Sequence, residues 1–92
     1  MEIKEIEIFA ELCGEWSAGT YLGSFKRFVT FLENNGFKVK YEIEKTFGGR
    51  QEVYLVKGGE KILVYSKMKT DKYLNEGNSK GVLEKIKELL AK

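Results

Sequence analysis

Phe37-Lys38-Val39-Lys40-Tyr41-Glu42-Ile43-Glu44 alternates an apolar residue with a charged one at every step. A period of two sustained this long is the pattern of a strand with one oily face and one charged face. Immediately upstream the period changes. Tyr21, Leu22, Phe25, Phe28, Val29 and Leu32 recur at helical spacings, while Lys26, Arg27, Thr30 and Glu33 take the opposite side. Asn34-Asn35-Gly36 then supplies a helix stop, because Asn and Gly tolerate the left-handed conformation that closes a last turn. Gly23, in the first turns, costs about 1 kcal/mol relative to alanine and makes that end the weaker one. Further upstream the apolar run Ile3 to Leu12 alternates Ile6, Ile8 and Ala10 with Glu5, Glu7 and Phe9. Phe9 interrupts the polar side, as a strand covered on both faces allows. Strand, helix of about four turns and strand make a βαβ unit, with a right-handed crossover and parallel strands.

Downstream, the linker Thr46-Phe47-Gly48-Gly49-Arg50 leads to two β-rich runs, Val53-Tyr54-Leu55-Val56 and Ile62-Leu63-Val64-Tyr65. Lys57-Gly58-Gly59-Glu60 joins them, and paired glycines at such a junction signal a hairpin because tight turns that suit strand twist need positive φ. A long polar loop from Ser66 to Asn78 precedes a C-terminal helix marked by Val82, Leu83, Ile86, Leu89 and Leu90. Asn78 or Ser79 is the expected cap, with Lys80, Lys85 and Lys87 outward. The expected order is β-α-β-β-β-α, an α+β domain over residues 1–92 with a four-stranded mixed sheet and two helices. Ninety-two residues with 42% hydrophobic and 13% aromatic content suit one such domain with a real core.

Composition narrows the chemistry. Sixteen Lys plus Arg against 14 Asp plus Glu leave a charge of +2, too little for nucleic-acid binding without clustering, and the most basic stretch, Ser66 to Lys72, contains an acid. The aromatics Phe25, Phe28, Phe37, Tyr41, Phe47, Tyr54 and Tyr65 fall at core spacings rather than beside a basic groove. The chain has no histidine, which removes the commonest general base and metal ligand, so no metal is expected. One cysteine cannot form an internal disulfide, and no segment has the apolar length of a membrane span or the form of a leader. A cytoplasmic protein without a membrane partner is the expectation. Gly48-Gly49 is not followed by Gly-Lys-Ser/Thr and does not make a phosphate loop.

The stretch Gln51 to Lys67 resembles the strand-turn-strand signature of the selenoprotein W, T and H family, in which a glycine turn leads to an apolar strand ending in Ser-Lys or Ser-Arg, here Ser66-Lys67. Cys13-Gly14 is similar to the first half of that family's Cys-Gly-x-selenocysteine (or Cys) motif, and Lys85 to Lys92 fits its short terminal helix. The resemblance implies a thioredoxin-like fold in its smallest form and a role in cell redox homeostasis. It places a reactive thiol at Cys13, where the amides and dipole of the following helix would favour a thiolate. Trp16 occupies the second redox position, and an indole cannot resolve a mixed disulfide.

Two functions follow as expectations. In the first, Cys13 is a catalytic monothiol that uses glutathione or another small thiol as co-substrate, without a bound cofactor. Arg50 is then the nearest cation to a thiolate or a glutathione carboxylate, and Gly14, Trp16, Gly48 and Gly49 form the surrounding binding loops, the glycine pair standing where many thioredoxin-like proteins carry a cis-proline. In the second, Cys13 is a small space-filling residue. The chain is then a non-catalytic interaction module, binding a protein through the loop from Cys13 to Thr20 or through an exposed sheet edge.

Overall fold

A computed structural model describes residues 4–13, 18–47, 50–70, 72 and 74–91. Seven elements follow one another: β1 (Lys4–Cys13), α1 (Ala18–Asn34), β2 (Phe37–Thr46), β3 (Gln51–Lys57), β4 (Glu60–Ser66), α2 (Lys67–Thr70) and α3 (Glu76–Leu90). They form one four-stranded mixed sheet in the order β2-β1-β3-β4. β1 and β2 are parallel, as a βαβ crossover requires, and β3 runs antiparallel to both β1 and β4. The fold is α+β, with three helices among the described residues, the two long ones expected and a short third. The addition is α2, a single turn at the start of the expected Ser66–Asn78 loop. It is held to the end of β4 by side-chain bonds, Thr70 Oγ1 donating to the Ser66 carbonyl at 3.0 Å and the Lys69 N–H to Ser66 Oγ at 3.3 Å.

Helix boundaries move for local reasons. α1 begins three residues before Tyr21. It closes as expected, with the Asn35 and Gly36 N–H groups donating to the Leu32 and Glu33 carbonyls and Gly36 at φ +92°. α3 starts at Glu76 and is capped by Asn75, not by Asn78 or Ser79. Asn78 sits one turn in and completes a reciprocal box: its N–H donates to Asn75 Oδ1 at 2.9 Å, and the Asn75 N–H donates to Asn78 Oδ1 at 2.8 Å. In the hairpin, Gly58 and Gly59 both adopt positive φ, +61° and +82°, which is what the paired glycines are for.

Burial follows the strand alternation. Ile6, Ile8, Ala10 and Leu12 of β1, with Val53 and Leu55 of β3, meet Phe25, Phe28 and Leu32 of α1 and Val82, Leu83 and Ile86 of α3 in one core. The other face of the sheet carries Glu5, Glu7, Phe9 and Glu11 on β1, and the register sets Lys38, Lys40, Glu42 and Glu44 of β2 beside them. Phe9 is buried there. The Tyr54 ring packs at 5.9 Å and the Lys61 ammonium lies 3.7 Å from the Phe9 ring centroid. Two aromatics expected in the core are outside it: Phe47 is 72% exposed and Tyr41 is 41% exposed. Both belong to the β2 side of the sheet, Tyr41 on the edge strand itself. No helix among the described residues is long and apolar enough to cross a membrane.

Candidate functional site

Cys13 is the last residue of β1, not a loop residue, and its register partner on β2 is Thr46. Its backbone N–H donates to the Arg50 carbonyl at 2.8 Å. The contact to Cys13 is made by the Arg50 backbone carbonyl, while its side chain lies against Glu11. Cys13 is only 5% exposed, free of any disulfide, and a member of the core cluster. The other expected binding residues, Gly14, Trp16, Gly48 and Gly49, lie outside the described residues.

The Arg50 side chain serves a carboxylate. Its Nη1 lies 4.0 Å from Glu11 Oε1, and that same oxygen accepts a hydrogen bond from the Tyr54 hydroxyl at 2.8 Å. Partial burial, then the bond to Glu11 and the charges of Glu11 and Glu52, push Tyr54 up from 10.0 to about 12, against the smaller opposing pull of Arg50. Ladder geometry builds this cluster: Glu11 pairs with Glu44 on one side and Glu52 on the other, so three carboxylates stand in one row across three strands. Like charges placed directly opposite repel. Glu52 is 8% exposed, and its Oε2 has no hydrogen-bond partner among the described residues; the same holds for Thr46 Oγ1. No group of three or more Cys, Asp or Glu side chains among the described residues could hold a metal ion.

Sequence reasoning did not single out Glu11, Glu52 or Tyr54. The signal that could have found Glu11 is its place two residues after Phe9, on the same strand face. Its neighbours on β3 needed the β1–β3 register, which no periodicity supplies.

A groove also runs between α1 and α3, lined by Ser24, Arg27, Phe28, Phe31, Leu74 and Asn75. Two of its polar side chains are engaged within the protein: the Ser24 hydroxyl donates to the Leu74 carbonyl, and Asn75 caps α3. Compared with protein-family models, with curated proteins and with solved structures, the chain gives no match.

Proposed function

We propose that this chain is a non-catalytic protein-interaction module on a thioredoxin-like scaffold, in which Cys13 fills space at the end of β1. The observation that carries the reading is the 5% exposure of Cys13 within the core cluster. A nucleophilic thiol must be reached by the sulfur or carbon it attacks, and a buried one is inert. The β2-β1-β3-β4 order, with β3 the antiparallel member, supports the thioredoxin-like assignment. A reduced, unpaired cysteine suits the cytoplasm. The net charge of +2, with acids and bases interleaved on the sheet, favours a protein partner over nucleic acid.

The monothiol reading keeps one observation on its side, the backbone bond that holds Arg50 against Cys13. In that chemistry the Cys13 thiolate attacks one sulfur of glutathione disulfide, forming the protein–glutathione mixed disulfide and expelling one glutathione thiolate. Labelling with a chromogenic disulfide reagent at neutral pH separates the two. An interaction module labels at least roughly a hundredfold more slowly when folded than in denaturant, because the thiol must wait for opening. Folded-state labelling at the rate of a free cysteine overturns the proposal in favour of the monothiol.

A further inference from the structure

The two edges of the sheet differ. β4 is seven residues long, its register with β3 slips between Val53 and Tyr54, and α2 begins at its end. β2 is ten residues long and keeps an unbroken ten-rung register with β1. No described strand pairs with its outer side, and the chain contains no proline to blunt it. A long, regular, open edge is a template for another strand.

The sequence of that edge says which strand. On one face Lys38 and Lys40 occupy its first half and Glu42 and Glu44 its second, with Tyr41 between them on the other face, which also carries Lys45. Laid antiparallel against itself about Tyr41, the edge sets Lys38 against Glu44 and Lys40 against Glu42, each twice. On the opposite face Val39 meets Ile43, and Tyr41 meets Tyr41. The neighbouring registers that keep the ladder in phase put Lys40 against Lys40 or Glu42 against Glu42 on the axis, so charge selects the central one.

We propose that β2 is a homodimerisation edge, pairing with β2 of a second copy of this chain into a continuous eight-stranded sheet. This deepens the interaction-module reading, on which it rests, by naming the partner. Three features of the single chain fit it. Val39 and Ile43 are half-buried and Tyr41 is 41% exposed, leaning edge-on against Phe25 at 5.4 Å, so α1 leaves this margin of the apolar face partly open. The only described ion pair of this strand, Lys38 with Glu5 at 3.6 Å, joins two highly exposed side chains and holds Lys38 weakly. Glu44, whose neighbour within the chain is Glu11, gains Lys38 of the second copy as an opposite charge.

Edge pairing of this extent belongs with the smaller interfaces, so the dimer should form in the micromolar range. Sedimentation velocity from about 10 to about 500 µM should show a species of twice the 10.6 kDa chain mass, receding as salt rises. K38E/K40E makes the Lys38–Glu44 face of the edge wholly acidic and E42K/E44K makes it wholly basic; each alone should sediment as a monomer. Mixed one to one, the two should form a heterodimer at least tenfold tighter than either self-association, a result that misfolding of a variant could not produce. A wild-type monomer across that range overturns the inference, as does a dimer that both double variants leave intact, or a mixture that stays monomeric. Thiol labelling reads the parent proposal separately, since fast labelling of folded Cys13 would overturn that reading whatever the mass.

Discussion

Gln51 is where the structure makes its sharpest energetic demand. It is 0% exposed, at the start of β3 and opposite Leu12 on the helix side of the sheet. Its Nε2 donates to the Tyr21 carbonyl at 3.0 Å, and its Oε1 accepts from the Leu74 N–H at 2.8 Å. One amide thus ties the first turns of α1 to the segment that leads into α3. Gln51→Leu keeps the volume approximately and removes both bonds. The Leu74 N–H, on a residue 3% exposed, is then left without this partner at a cost of about 1–3 kcal/mol, and loss of the Tyr21 bond adds about 0.5–1 kcal/mol. A central figure of about 2.5 kcal/mol is a large fraction of the ~5–15 kcal/mol total of a small domain. For a chain of this size it corresponds to a fall in Tm of roughly 10–20 °C. In urea monitored by circular dichroism, the midpoint should fall by about 1–2 M at unchanged slope. Amide exchange at Leu74 should accelerate more than at the β1–β2 ladder. A midpoint shift worth less than about 0.5 kcal/mol would refute the reasoning, because it would mean that water or a relaxed loop replaces both bonds without penalty.

Two further outcomes are expected. Tyr54 should ionise near pH 12 in ultraviolet titration, and Glu11→Gln should lower that value part of the way toward 10.0, since burial, the larger cause, remains. A folded-state value raised above the unfolded one favours the neutral phenol in the native protein. Its stabilising contribution is therefore complete below about pH 10 and lost as pH rises from about 10 to about 12; an unchanged titration in the Glu11 variant would contradict the hydrogen bond. Gly81→Ala, in the exposed middle of α3 where an added Cβ meets nothing within 4 Å, should stabilise the protein by about 0.5–1 kcal/mol in the same urea experiment.

The elements that could be read directly from the chain are those whose evidence is local. The period of two from Phe37 to Glu44, the helical spacing from Tyr21 to Leu32 and the glycine pair at residues 58 and 59 each report a conformation that neighbouring residues decide among themselves. Apart from the α3 cap, which two asparagines three residues apart decide between them, the misplaced features depended on partners distant in sequence. Asn78 is a good capping residue by type, but the helix starts earlier because Asn75 and Asn78 cap reciprocally. Tyr41 continues the apolar alternation faithfully, yet it remains 41% exposed because β2 is at the sheet margin, a consequence of strand order rather than strand pattern. Gln51 carries no apolar signal and still sits deeper than most of the hydrophobic residues, because its two bonds satisfy both ends of the amide. Cys13 is legible as the chain's one thiol, while its burial in the core depends on how the end of β1, whose backbone bonds the Arg50 carbonyl, is packed in the fold.

The charged face of the sheet gives a physical reason to connect the carboxylate row with the open edge. Within one chain, Glu44, Glu11 and Glu52 stand side by side, and among the described residues Arg50 is the cation that reaches them, at 4.0 Å from Glu11. Farther along the same strands the order of charge is different: Glu5 faces Lys38 and Glu7 faces Lys40. A two-fold axis through Tyr41 carries the acidic end of one sheet onto the basic end of the other, so that each row continues from carboxylates into lysines. Parallel pairing of two β2 edges in register would set lysine beside lysine and glutamate beside glutamate, and would leave the acidic row without added cations. The same electrostatics that make the isolated row unfavourable therefore fix both the direction and the register of the partner strand.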